Sequence, residues 1–361
     1  MSILETTGEY ETWLRSQCRV VEKDLAYKHE RMSKNAFAFL RATYYRWARR
    51  IETICPDLAD APSALCVGDI HLENFGTWRD TDGRWVWGVN DFDEAAVMPY
   101  AFDLVRLAAS AALAPKMKFS GRDAVDAILQ GYHGGLKQPG PALLDEQEIW
   151  IRDYVKCSDD CRREFWKDVG NLKTASPEAS IRKLLVASLP DEARDKAFFR
   201  RRAGGGSLGR PRFVVVATWR GGRVVREAKA LVASAWDWAH HRTPRRHKFL
   251  DLSTGTYRAP DPYLRVEPDA AGTNFVFRRL SADSRKIDLD DDAAHLKYDQ
   301  LRAMGADLGS VHAATSGAAA AIAKDLKARR GGWLHENARA AREATEKDFE
   351  IWRRTSRKQP A

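Results

Sequence analysis

Along the first fifty residues, apolar side chains recur at three- and four-residue spacing among lysines and arginines, most clearly at Phe37, Leu40, Tyr44, Tyr45 and Trp47. That period puts them on one helical face, so the stretch is predicted to be helical. After breaks at Pro56 and Pro62 the pattern shortens. Ala64-Leu65-Cys66-Val67 reads as a strand feeding the loop GDIHLENFG. The turn signal Asp80-Thr81-Asp82-Gly83 introduces a second strand, Arg84 to Val89, which ends in Asn90-Asp91-Phe92-Asp93-Glu94. One small hairpin is therefore expected to deliver two acidic loops.

Pro99 opens a helix carrying Phe102, Leu104, Val105, Leu107 and Ala108, and helical patterns broken by Gly and Pro continue to about residue 190. The character then changes. RRAGGGSLGRPRFVVVATWRGGRVVREAKALV holds a glycine loop, a β-branched run at Val214 to Val216 and a turn at Gly221-Gly222. Asn274 to Leu280 reads as a further strand, and the acidic stretch Asp288 to Asp292 as a solvated connection. Helix returns with Leu301, Met304, Leu308 and Val311 on one face, and a last helical segment runs from Trp333 to Arg354. The expected class is α+β, with a mainly helical lobe over 1–195, a β-rich lobe over 196–282 and C-terminal helices over 283–361 that rejoin the helical lobe.

Composition narrows this picture. A chain of 361 residues is long enough for two lobes. Its 44% hydrophobic content and 12 Trp exclude wholesale disorder. No run approaches the ~20 apolar residues of a bilayer span, and the opening residues are too polar for a secretory leader. A cytoplasmic protein with no membrane partner is expected. Cys18, Cys55, Cys66, Cys157 and Cys161 form an odd, scattered set, read as free buried thiols. The balance of 59 Lys+Arg against 50 Asp+Glu gives +9, which suits a nucleic acid or any phosphate-handling site.

The densest chemistry lies in Gly68-Asp69-Ile70-His71-Leu72-Glu73-Asn74. A carboxylate five positions before an amide can accept a hydroxyl proton while the amide oxygen binds a divalent cation, and phosphoryl transfer needs both. Asp91 is the metal ligand expected from the second loop, since Mg²⁺ prefers hard oxygen donors. Asp93 and Glu94 are either a second ligand and a substrate contact or solvated acids. His71 either shapes its loop or takes a proton. Gly204, Gly206 and Gly209, with Ser207 among them, fit G-x-G-x-x-G, but no helix follows directly as a dinucleotide fold requires. A strand–loop–strand setting suits a loop that covers phosphates, and equally a plain glycine-rich hairpin. Trp236 and Trp238 are read as core or interface anchors. Arg200 to Arg202, Arg242 to Lys248 and Arg353 to Lys358 read as a solvated basic face, and no nucleic-acid recognition motif accompanies them. Lys28, Arg31, Lys34 and Arg41 are placed to meet an anion if their helix caps the cleft.

These motifs resemble the protein-kinase-like phosphotransferases, above all the aminoglycoside and choline kinase branch. GDIHLEN is similar to that branch's H-G-D-x-H-x-x-N loop through Asp69, His71 and Asn74, and NDFDEA to its metal motif through Asp91 and Ala95. Pro99 to Leu104 resembles a segment whose aspartate supports the catalytic loop, a role the resemblance assigns to Asp103. FAFLRA, GDIHLENFG, NDFDEA and FDLVRLAAS together resemble the bacterial domain of unknown function 2252, itself regarded as kinase-like. The resemblance implies a two-lobed kinase-like fold that binds ATP and Mg and phosphorylates a hydroxyl acceptor, with a small molecule the expected acceptor. Because Asp69 precedes Gly204, the lobes would be circularly permuted, which surface termini tolerate. The phosphate-pairing lysine position of the branch reads Val225-Arg226-Glu227-Ala228, so Arg226 or Lys229 would contact phosphate. They lie on opposite faces of a strand. No glutamate partner is evident on a following helix, where Ala230 to Ala239 offers only Asp237. A nucleotide binder with little turnover, adenylate transfer on the same fold, and a basic nucleic-acid-binding protein are the alternatives.

Overall fold

The opening residues fold as four helices: α1 (Ile3–Gln17), α2 (Glu22–Met32), α3 (Ala36–Ala42) and α4 (Tyr44–Ile54). Ser2 and Glu5 close a reciprocal capping box at the start of α1, and Asn35 caps α3 through the Ala38 N–H. At the junction of α3 and α4, the Thr43 hydroxyl turns back to the Phe39 carbonyl at 2.7 Å. The structure is a computed structural model and describes residues 1–115, 121–146, 149–286 and 298–356.

The strands that follow differ from the expected hairpin. β1 (Ser63–Cys66) pairs antiparallel with β4 (Ala96–Pro99), while β2 (Phe75–Arg79) pairs with β3 (Trp85–Val89), and β5 (Ala142–Leu143) adds to β3. The Asp69 loop therefore leaves one sheet and the Asp91 loop connects the other sheet to it. Strands of four or five residues do not announce their partners, because the pairing rests on contacts distant in sequence.

α5 (Tyr100–Leu113) is buried over most of its length and lies beneath the Asp69 loop. α6 (Gly121–Lys137) packs closely on α12 (Tyr298–Ala313), which carries Leu301, Met304, Leu308 and Val311 inward. The approach needs glycine: a Cβ at Gly305 would run into the Ile128 carbonyl. α13 (Ala318–Ala328) follows, and α14 (Trp333–Ser356) closes the helical body by packing Phe349 and Trp352 near Phe39.

The sheet lobe begins earlier than residue 196. α7 (Arg152–Val155) and α8 (Asp159–Gly170) lead to β6 (Lys173–Thr174), α9 (Ala179–Ala187) and β7 (Arg194–Arg200). Then come β8 (Arg212–Trp219), β9 (Gly222–Leu231), α10 (Ala235–Ala239), α11 (Phe249–Ser253), β10 (Arg265–Pro268) and β11 (Asn274–Leu280). The sheet order is β10-β11-β9-β8-β7-β6, antiparallel throughout. Ile181 and Leu185 of α9 bury against Val215, Ala228 and Phe277, so residues 173–195 belong to this lobe's core. Helical periodicity shows which face of α9 is apolar but not which lobe covers it.

Cys18, Cys55 and Cys66 are free and buried, but Cys157 and Cys161 form a disulfide, correcting the reading of all five as thiols. Four residues apart at the entry to α8, their Cα atoms lie 5.5 Å from each other, within bridging reach. Among the described residues no helix is long and apolar enough to cross a membrane. The stretch Asp288 to Asp292, read as a solvated connection, lies outside the described residues.

Candidate functional site

The Asp69 loop is held from below by a carboxylate. Asp103 of α5 accepts the Val67 and Gly68 N–H groups at 2.7 and 3.0 Å, and His312 Nε2 lies 3.2 Å from it. Gly68 has φ +79°, and a Cβ there would strike the Glu94 carbonyl and the Tyr44 hydroxyl. Cys66, Asp103 and His312 bring ligand-type atoms within 4.8 Å of one another. Each is already engaged, Cys66 with the Met98 carbonyl at 3.5 Å and His312 Nδ1 with the Tyr132 hydroxyl at 2.7 Å. Their observed role is to brace the loop.

Asp69 itself is gripped by Arg106, a fully buried arginine that also donates to the Leu40 carbonyl at 2.9 Å. Burial raises the Asp69 carboxyl above its ordinary range, with Arg106 and Arg41 pulling back. The Asn74 amide donates to the Asp69 carbonyl, leaving its side-chain oxygen for another partner. His71 is buried, and burial together with Arg41 and Arg106 holds its ring well below the usual histidine value. Its Nδ1 has no partner among the described residues. A neutral ring of this kind orders a loop better than it takes a proton.

The second acidic loop is tied to the first by the Asn90 N–H on the Asn74 carbonyl at 3.0 Å. Its entry is fixed by Asp307 of α12, which accepts the Val89 N–H at 2.7 Å and pairs with Arg258 at 2.7 Å. Asp93 and Glu94 are buried rather than solvated: Arg210 meets Glu94 at 2.6 Å and Asp93 at 3.4 Å, and Glu94 accepts the Ala235 N–H at 2.6 Å. Asp91 is the most open of these acids, its side chain 28% exposed. Burial works against its charge, but Lys229, Lys286, Arg278 and Arg212 outweigh it and keep the carboxyl well below the usual range.

Strand alternation puts Lys229 and Arg226 on opposite faces of β9, and Lys229 is the one that faces the second acidic loop. Lys229 Nζ lies 3.3 Å from Asp91 and 2.7 Å from Asp93. Arg226 points to the other face of β9, donating to the Ser188 carbonyl at 3.0 Å and lying 4.0 Å from the Tyr263 ring centroid. It does not reach the cleft. Glu227 shares the Lys229 face and gathers Arg201 at 2.7 Å, Arg212 at 3.3 Å and Arg278 at 2.7 Å, so its carboxyl is held well below the usual range despite burial.

The glycine loop joins β7 to β8 and lies over Asp69. A Cβ at Gly206 would sit 3.1 Å from Asp69 Oδ2 and 3.1 Å from the Arg41 carbonyl. Gly204 takes φ +87°, and Ser207 accepts Arg212 at 3.0 Å. Gly204, Gly206 and Ser207 line the cleft, whereas Gly209 packs on Leu25 of α2. Of the basic residues near the N-terminus, Lys28 and Arg41 line the cleft and Arg31 and Lys34 do not. Arg200 and Arg202 are not a free basic face, since each meets Asp24 of α2 at 2.8 Å. Trp236 is buried and stacks on His240, and Trp238 packs against Tyr10, outside the cleft.

Sequence reasoning missed Arg106, Arg210, Arg212, Arg278, Lys286 and Glu227. The position of Arg210 directly after the glycine pattern was the available signal for one of them. Lys286 links this cleft to a second cavity lined by Trp78, Phe92, Phe249 and Leu280.

The fold is thus α+β, with a polar cleft where a helical body meets a six-stranded sheet. Residues 19–150 match the family described as an uncharacterised protein conserved in bacteria, domain of unknown function 2252. That segment contains both acidic loops and Asp103. No curated protein and no solved structure matches the chain.

Proposed function

We propose that this protein is an ATP- and Mg²⁺-dependent phosphotransferase of kinase-like architecture with permuted lobes, acting on a hydroxyl acceptor. The observation that carries this reading is the convergence of Asp69, Asn74 and Asp91 from two loops with Lys229 from β9, beneath a glycine loop whose Gly206 leaves room above Asp69 that a side chain would fill. Kinases use this set of groups.

The donor set fits the ion, because Asp91 and Asn74 offer hard oxygens to the same cleft and Asp91 stays ionised. Bound there, Mg²⁺ would supply charge neutralisation at the transferring phosphate. The chain's residues do the remainder. Asp69, positioned by Arg106, accepts the acceptor's hydroxyl proton as the new O–P bond forms; the bond from the γ-phosphorus to the β,γ-bridging oxygen breaks and ADP leaves. Lys229 pairs with phosphate charge, and the backbone from Gly204 to Ser207 covers it. The second cavity, reached past Lys286 and walled in part by Trp78, Phe92, Phe249 and Leu280, suits the base. Catalysis of this type is mostly positioning and electrostatics, so few groups suffice.

The test is incubation with Mg·ATP and pooled hydroxylated metabolites, read by mass spectrometry. A phosphate gain that disappears in Asp69→Asn supports the reading. A gain of adenylate instead, or nucleotide binding with no product, overturns phosphoryl transfer in favour of adenylate transfer or a nucleotide binder.

A further inference from the structure

Among the described residues two cations of the cleft, Lys28 and Lys286, form no ion pair, and of these only Lys28 is buried. Lys28 of α2 is 3% exposed and lines the cleft with Asp69 and Arg210. Its Nζ donates to the Gly206 carbonyl at 3.0 Å and lies 5.8 and 5.4 Å from the ring centroids of Tyr10 and Tyr45, which stack 4.3 Å apart. An ammonium has three donors, and one carbonyl uses one of them. Among the described residues Lys28 forms no ion pair. The neighbouring cations are matched: Arg41 by Glu73 at 2.5 Å, Arg106 by Asp69, and Arg210 by Glu94 at 2.6 Å.

Buried charge of this kind is costly until it is paired. Glu11 on α1, Glu94 and Asp69 pull on Lys28 without touching it, Arg210 repels it, and burial dominates, bringing the ammonium down to about 8. Gly206 connects this cation to the reacting centre, for the residue that accepts from Lys28 also packs over Asp69.

We propose that Lys28 marks an oxyanion subsite beside Asp69, so that the acceptor carries a carboxylate or phosphate close to the hydroxyl that receives the phosphoryl group. This assignment rests on the phosphotransferase reading. Lys28 enters from α2 and Lys229 from β9, so acceptor and nucleotide charges meet different cations.

The test is calorimetric titration of the full chain with inorganic phosphate and, separately, acetate, at neutral pH in saturating Mg·AMP-PNP. Wild type, Lys28→Met and Lys28→Arg are compared, with circular dichroism and the unliganded midpoint as controls of folding. Wild type should bind at least one anion, the tighter one naming the group; Lys28→Met should weaken it by about tenfold or more, and Lys28→Arg should restore it. If Lys28→Met does not fold, Lys28→Gln takes its place. Equal binding by the neutral variant, or no binding of either anion to wild type, overturns the subsite while leaving the nucleotide reading intact. Failure of AMP-PNP to bind wild type is a separate result: it overturns the nucleotide reading and, with it, the assignment of this anion to an acceptor.

Discussion

Glu227→Gln removes one charge while preserving shape, and its cost can be worked from the sheet. Glu227 is fully buried directly across from Arg278 on β11, with Arg212 two residues along β8 and Arg201 beyond the end of β7. The Arg212 side chain is 6% exposed, and those of Arg278 and Arg201 are 24% and 33% exposed. Without the carboxylate, Arg212 has no solvent to turn to, whereas the other two can swing outward. Breaking a buried pair by removing one partner costs about 3–5 kcal/mol, so the variant should fall in that range. Equilibrium urea unfolding at neutral pH measures it. Because Glu227 titrates well below its usual value in the fold, its contribution is complete above about pH 4.5 and declines as pH falls below that point. The gap between wild type and variant should therefore hold constant from neutrality to about pH 5 and narrow in acid. Adding Arg212→Met should recover part of the loss, since the stranded charge is then gone. A loss under about 1 kcal/mol, or a gap indifferent to acid, would refute the account of Glu227 as the organiser of these arginines.

Two further predictions concern the cleft. Arg226→Gln should leave the nucleotide-induced rise in thermal midpoint intact and Lys229→Met should abolish it, because only Lys229 faces Asp91; equal losses in both would contradict the assignment. Lys28, lowered from 10.5 to about 8, binds fewer protons folded than unfolded in that window, so stability should rise as pH goes from about 8 to 10.5, by at most about 3 kcal/mol from this group. Urea midpoints for wild type and Lys28→Met across that range test it, and an equally steep rise in the variant counts against Lys28 as a source.

What the sequence made legible was local. GDIHLEN and NDFDEA could be picked out because a few residue types at short spacing carry a chemical meaning, and α12 could be read from its period. The pairing of β1 with β4 could not, because four-residue strands hold too little pattern to choose a partner. Arg106, Arg210, Arg212 and Arg278 look in sequence like any surface arginine; their burial follows from carboxylates and carbonyls brought near by other segments. Alternation on β9 separates Arg226 from Lys229, but choosing the inward face required knowing where the sheet lies. The Arg200 to Arg202 cluster stays partly solvated, as its composition suggests, but its partners Asp24 and Glu227 are distant in sequence and could not be read from it.

The most direct measurement is the thermal midpoint of the full chain with and without ATP and Mg²⁺, for wild type and Asp91→Asn. Ligand binding to the folded state adds stability by mass action, about 2.7 kcal/mol at a hundredfold excess over Kd. The account predicts a magnesium-dependent rise with ATP over the unliganded midpoint in wild type and the loss of that rise in Asp91→Asn, whatever the variant's own unliganded midpoint. No rise in wild type at millimolar ATP, or an undiminished rise in the variant, would contradict it.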